Sequence, residues 1–174
     1  MEYDTVKHCH YAGVPSFNLY PVTQDLTNAD IAVMGVPFDA GVTNRPGARF
    51  GPRAIRNLSQ LACCFYYPWD YKISEKAKII DYGDVGIALG PKSTQTMLEE
   101  THKNAQKILN AGCKLLTLGG DHTIPYGMVR AASEKYGKLA LIHFDSHQDS
   151  IPSVDGNVFH ANFAYDLQEE GCID

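Results

Sequence analysis

Lys114-Leu115-Leu116-Thr117-Leu118-Gly119-Gly120-Asp121-His122 and Leu139-Ala140-Leu141-Ile142-His143-Phe144-Asp145-Ser146-His147-Gln148-Asp149 decide the fold of this chain. Each is a short apolar run that stops abruptly in a polar cluster. Continuous runs of this length match strands covered on both faces, as in a parallel sheet. Working outward, Ile31-Ala32-Val33-Met34-Gly35-Val36 is another such run, closed by Pro37, and Lys78-Ile79-Ile80-Asp81-Tyr82 a further one, ending near Gly83 and Gly86. Helical patterns fill the intervals. Pro52 stands where a first helical residue is expected, leading into Ala54-Ile55-Arg56-Asn57-Leu58. Ser93 is expected to cap a long helix that reaches Asn110 and stops at Ala111-Gly112, with Met97, Thr101, Ala105, Ile108 and Leu109 as its apolar face. A further helix is expected over residues 124–136. Strands alternating with such helices indicate an α/β fold with a parallel sheet and right-handed connections. In these sheets polar sites gather beyond the carboxyl ends of the strands, which is where every polar cluster falls here.

Composition narrows the function classes. A chain of 174 residues with 44% hydrophobic and 20% charged residues is ordinary globular material, not a disordered tail, a collagen-like fibre or a disulfide miniprotein. Fifteen basic against 20 acidic residues give a net charge of −5, which is no footprint for nucleic-acid binding. No apolar run approaches the roughly 18 residues of a membrane span. The polar start Met1-Glu2-Tyr3-Asp4 does not fit a secretory signal, so a cytoplasmic location is expected. Cys9, Cys63, Cys64, Cys113 and Cys172 contain no C-x-x-C pair and are expected to be free, mostly buried thiols. No P-loop and no G-x-G-x-x-G follows the first strand. Residues 1–28 lack periodicity and read as an N-terminal extension, and 29–174 as the N-terminal portion of one domain.

Chemistry concentrates at two strand ends. If the chain stays extended past the strand, Asp145, His147 and Asp149 point to one side, because side chains repeat every two residues. Like charges brought so close repel unless a cation or protons compensate them. A mixed oxygen and nitrogen donor set suits Mn²⁺ better than a thiolate-preferring ion, with other divalent ions left open. Gly119-Gly120-Asp121-His122 offers a second imidazole, its glycines allowing close backbone approach. Each piece alone also has an ordinary reading: a hydrogen-bonded structural histidine, or an Asp121 favoured by a helix dipole. Arg45, Arg49, Arg53 and Arg56, around a helix start, could clamp a phosphate. The acidic cluster argues instead for a cationic substrate.

These blocks, with Gly35-Val36-Pro37-Phe38-Asp39 and the segment Arg45-Pro46-Gly47-Ala48-Arg49-Phe50-Gly51-Pro52-Arg53, resemble the ureohydrolase family of arginases and agmatinases. The resemblance implies the N-terminal part of a three-layer αβα arginase-like fold and a cofactor of two Mn²⁺ ions in the complete enzyme. His122 is then the terminal ligand of one ion and His147 of the other. Asp145 bridges them, and Asp149 binds the first ion and hydrogen-bonds the shared hydroxide. Two adjacent cations make that hydroxide available near neutral pH to attack a guanidinium carbon, releasing urea and an amine. His160 resembles the family's histidine at the active-site mouth and would shuttle protons. The arginine-rich loop would be structural, near subunit contacts.

The resemblance is closest to agmatinases, implying a small cationic guanidino substrate, agmatine, converted to putrescine and urea. Arginase and guanidinobutyrate or guanidinopropionate hydrolase are the alternatives. Ser153 and Asn157 could hydrogen-bond an amino-acid substrate, whereas Asp155 would repel its carboxylate. A homo-oligomer, trimer or hexamer, is implied, with neither nucleic acid nor membrane as partner. The family also supplies a later Asp-x-Asp pair and a guanidinium-binding glutamate, and nothing after Asp149 matches either. Four ligand side chains cannot complete two octahedral ions. The sequence therefore reads as truncated at the C-terminus, with an exposed sheet edge and no activity of its own. A truncated, non-catalytic relative acting in binding or assembly is the reading from another class.

Overall fold

The computed structural model describes residues 12–62 and 71–174. Their sheet has three parallel strands in the order β2-β1-β3: β1 is Ile31–Val36, β2 is Ile79–Asp84 and β3 is Lys114–Gly119. Helices α1 (Gly51–Ala62), α2 (Ser93–Asn110), α3 (Pro125–Tyr136) and α4 (Phe163–Glu169) complete the elements that matter for the site. The chain winds from β1 outward to β2, then back across β1 to β3. Right-handed crossovers in opposite directions put α1 and α2 on opposite faces of the sheet, and the packing agrees. Ala32, Met34, Val36, Ile80 and Tyr82 join Met97 and Ile108 of α2 in one core. On the other face Arg56 of α1 reaches Asp81. The result is a three-layer αβα arrangement, with the winding direction changing between the carboxyl ends of β1 and β3.

Local sequence explains most of this. All five positions expected to form the apolar face of α2 are buried. Gly112, at φ +86°, turns the chain out of that helix and donates its N–H to the Leu109 carbonyl at 2.9 Å. Ser93, expected as the cap, is instead the first helical residue; Lys92 takes the cap position without a side-chain bond. Pro52 likewise sits one residue inside α1 rather than at its start. In β2 the pairing with β1 slips between Val33 and Met34, so that Gly83, at φ +87°, absorbs an extra residue as a bulge.

Helix α1 is inverted. Pro52, Arg56 and Gln60 face inward and are buried, whereas Ile55, Leu58 and Leu61 face solvent. Ion pairing therefore does much of the work of docking α1. The Arg56 guanidinium donates from Nε and Nη2 to both oxygens of Asp81, at 2.7 and 2.9 Å, and from Nη1 to Asp84 at 2.5 Å. A side chain on Gly35 would fall 1.8 Å from that Asp84 oxygen, so the glycine makes room for the network. Asp81 also accepts the Phe17 N–H at 2.8 Å, and Val22 bridges to Asp81, which lays residues 17–22 along β2.

Residues 139–144 do not form the expected fourth strand; only Leu139 makes a bridge, to Ile173. The apolar run encodes burial on two faces, and a strand exists only where a neighbour accepts its hydrogen bonds. Here Ile142 and Phe144 are 80% and 93% exposed. Cys113 and Cys172 are buried free thiols, as expected, whereas Cys9, Cys63 and Cys64 lie outside the described residues. No helix among the described residues is long and apolar enough to cross a membrane.

Asp81 is 1% exposed, so truncating its partner would strand a buried carboxylate. Arg56→Met is expected to lower unfolding free energy by about 3–5 kcal/mol, the usual cost of breaking a buried pair from one side. Urea denaturation checks this, and a loss under about 1 kcal/mol would contradict the role given to the pair.

Candidate metal centre

The carboxyl ends of β1 and β3 are locked together by backbone. Asp121 donates its N–H to the Phe38 carbonyl at 2.8 Å. A side chain on Gly120 would come within 2.5 Å of that carbonyl and 2.6 Å of the one at Val36, so only glycine lets the two exits approach this closely. The next residue, His122, is thereby held over the ring of Phe163 from α4, centroid to centroid 4.7 Å. His143 stands edge-on to His122 at 4.8 Å and to Phe163 at 5.5 Å. Phe163 is buried and forms an apolar floor beneath both imidazoles.

Two carboxylates close the group. Nδ1 of His122 lies 2.7 Å from Asp149 Oδ2 and 3.0 Å from Asp145 Oδ2. Nε2 of His143 lies 3.8 Å from the Asp145 oxygen and 4.0 Å from the Asp149 oxygen. One donor atom from each of these four residues falls within 4.8 Å of all the others. Despite this crowding, His143 Nε2 and Asp149 Oδ2 are buried with no hydrogen-bond partner. Buried polar atoms are normally paired. Buried nitrogen and oxygen atoms that converge on one point without forming hydrogen bonds fit a divalent cation.

The sequence-derived triplet assembles only in part. Asp145 and Asp149 enter the group, but His147 does not: its side chain is 80% exposed, with Nδ1 3.4 Å from Asp145 Oδ1. The expected extended course is broken, because the His147 N–H folds back to Asp145 Oδ1 at 2.9 Å and Asp149 adopts φ +50°. The side chains at 145, 147 and 149 therefore do not share one side. The Asp145 carboxyl is held below its ordinary value first by that N–H, against a smaller burial effect, and then by the nearby His122 and His143. His143 was not singled out as a donor from sequence, although its spacing of two from Asp145 on an extended run was the available signal.

The remaining expected residues lie in loops around the centre. His160 hydrogen-bonds through Nδ1 to the Gly41 carbonyl. Ser153 donates to the Asn157 carbonyl at 3.4 Å, and the Asn157 amide donates to the Val154 carbonyl at 3.3 Å, so both help to build the loop they occupy. A cavity of about 630 Å³ is lined in part by Gly41, Glu99, His102, Asn157 and Phe159 but by none of the four clustered donors. The donor chemistry, not this hollow, marks the centre. Of the four arginines considered as an anion clamp, Arg56 is paired inside the sheet layer and Arg49 with Asp39. Asp39, almost wholly buried, also accepts the N–H groups of Gly47 and Arg49. These pairings fit the structural reading of the loop.

A profile of the arginase family matches residues 29–174. The chain belongs to the arginase family. It is 44% identical over 168 residues to an agmatinase of Chromobacterium violaceum, covering 94% of this chain and 51% of that protein. An agmatinase of Photorhabdus laumondii is 39% identical over 160 residues, covering 90% and 50%. The crystal structure of a hypothetical agmatinase from Burkholderia thailandensis superposes with a TM-score of 0.89 at 39% identity, over 95% of this chain and 53% of that one. Proclavaminate amidino hydrolase from Streptomyces clavuligerus gives 0.83 at 29% identity, over 96% and 55%. The chain thus spans about half the length of the curated relatives it matches.

Arginine contact, first of all the Arg49 side chain, keeps the Asp39 carboxyl below its ordinary value of 3.8 despite burial. A depressed folded-state pKa means that this contribution is complete above the unfolded value and disappears as pH falls through the folded one. Stability is therefore expected to drop on acidification below about pH 4, and the drop is expected to be shallower in Asp39→Asn. Parallel melting-temperature curves for the two proteins between pH 5 and 3 would contradict this assignment.

Proposed function

We propose that the complete protein is a manganese-dependent ureohydrolase that converts agmatine and water to putrescine and urea. The observation that carries this is the convergence of His122, His143, Asp145 and Asp149, with buried donor atoms that make no hydrogen bond, in a member of the arginase family. Agmatinases stand among its relatives at 39–44% identity. His122, Asp145 and Asp149 would hold metal here, with His143 beside them. His147 would join once residues 145–149 are drawn into the extended course the period-two spacing calls for, and the later part of the complete protein would add the further ligands that two ions need. When bound, the metal supplies Lewis acidity that makes water a nucleophile near neutral pH.

This chain's own residues have defined tasks. Asp145 and Asp149 supply negative charge that draws a cation in. Asp149, only 6% exposed, supplies an oxygen in a place where water competes poorly. Phe163 keeps the two imidazoles in register. His160 moves a proton toward the amine that departs as the guanidino carbon–nitrogen bond breaks. Agmatine is favoured over arginine because Ser153 and Asn157 are engaged within their own loop and Asp155 between them would repel an α-carboxylate. Exposed Leu141, Ile142 and Phe144 call for cover, which the remaining half of the domain and a homo-oligomer would supply in a cytoplasmic enzyme.

Urea release from agmatine, arginine and guanidinobutyrate by the manganese-loaded complete protein tests the substrate. Agmatine is expected to dominate, whereas preference for either other compound would overturn the choice. The 174-residue chain alone is expected to release none. Asp149→Asn is expected to weaken manganese binding about a hundredfold or more, at least what the loss of a supporting partner costs. Titration calorimetry reads this directly, and unchanged affinity would remove Asp149 from the ligand set.

A further inference from the structure

The Asp121 carboxylate sits beside the metal-donor group yet belongs to none of its contacts. It is 7% exposed, and both oxygens are occupied by backbone: Oδ2 accepts the Gly41 N–H and Oδ1 the Thr123 N–H, each at 2.8 Å. Gly41 in turn accepts, at its carbonyl, the hydrogen bond from His160 Nδ1. A side chain at position 41 would fall 2.1 Å from Thr123 Oγ1 and 3.1 Å from Asp121 Oδ2, so the contact also depends on glycine. One residue thus joins two segments far apart in sequence, the strand-end loop at 121 and the loop carrying His160.

A carbonyl oxygen accepts and never donates, so the hydrogen on this bond must belong to His160 Nδ1. In the neutral ring that leaves the lone pair on Nε2. We propose that Asp121 is a positioning residue: by fixing the backbone of Gly41 it holds His160 in the Nδ1–H tautomer, with Nε2 free to take up and pass on a proton. This rests on the reading of His160 as the proton-moving group. An aspartate that served only to cap the following turn would need the Thr123 contact but not the one to Gly41. The second contact gives the carboxylate a task at the site.

The tautomer is readable by magic-angle-spinning ¹⁵N spectra of the sedimented complete protein carrying labelled histidine, with His160 assigned from the spectrum of His160→Gln. The native protein is expected to show a protonated Nδ1 and a bare Nε2 on His160; a protonated Nε2 alone would overturn the proposal. Asp121→Asn keeps one acceptor oxygen where two N–H groups need acceptors. It is expected to spread the His160 signals over both tautomers. It should also lower kcat about tenfold, part of the roughly hundredfold or more that a general acid–base group supplies, while KM moves less than about twofold and manganese content is unchanged. An unmoved His160 tautomer in this variant, whatever happens to kcat or manganese, would assign Asp121 to the fold alone. If Asp121→Asn does not fold, Gly41→Ala disturbs the same contact from the other side and is expected to give the same spectral change. Should the tautomer behave as expected while His160→Gln keeps full kcat, the positioning stands and the catalytic reading of His160 falls.

Discussion

Position 120 has room for a hydrogen atom and nothing larger. The carbonyls of Val36 and Phe38 press against it from the neighbouring strand exit, and from that approach the geometry of the centre follows. Because β1 and β3 end flush, the residues after them cannot drift apart, and Asp121 and His122 leave the sheet in fixed directions. Asp121 is tied to Phe38 and Gly41, and His122 is laid on Phe163. A wider gap between the strands would leave the imidazole to find its own place, and side chains placed by chance do not hold a cation well.

Two kinds of interior hold the layers. The α2 face is conventional: Met97, Ile108, Met34 and Tyr82 exclude water from one side of the sheet. The α1 face is electrostatic, with Arg56 clamped by Asp81 and Asp84 while leucines look outward. A buried ion pair gives little net stability compared with an apolar pair of the same shape, but it has one good geometry, so it fixes how α1 lies on the strands. The loop between β1 and α1 inherits that fixity through Asp39 and Arg49.

The parts legible in the sequence are those where a local pattern has one physical solution. The three apolar runs at 31, 79 and 114 had room to be little else than strands, although Leu116 in the third is 43% exposed, and the spacing of Met97, Thr101, Ala105, Ile108 and Leu109 allowed one helix face. The run at 139 carries the same signal, yet strand formation needs a neighbour, and periodicity cannot say whether one is at hand. His147 stands apart from the group for a related reason. Alternation assumes an extended chain, and the fold-back of the His147 N–H onto Asp145 together with the left-handed turn at Asp149 interrupts it. His143 was passed over because it stood inside an apolar run, although the same alternation links it to Asp145. The inward turn of Arg56 was hidden as well: its carboxylate partners lie 25 and 28 residues away, beyond any local pattern.

The bare segment around Ile142 and Phe144 also bears on how such a protein is made. Whatever finally shelters these side chains, whether residues translated afterwards or a neighbouring subunit, arrives only once they have already left the ribosome. Between those moments the nascent polypeptide carries a greasy ribbon with free backbone amides, the kind of surface that holdase chaperones grip and that drives nascent chains to coalesce. Yield in the cell would then be governed by how quickly that ribbon finds its shelter, more than by the stability of the layers already formed.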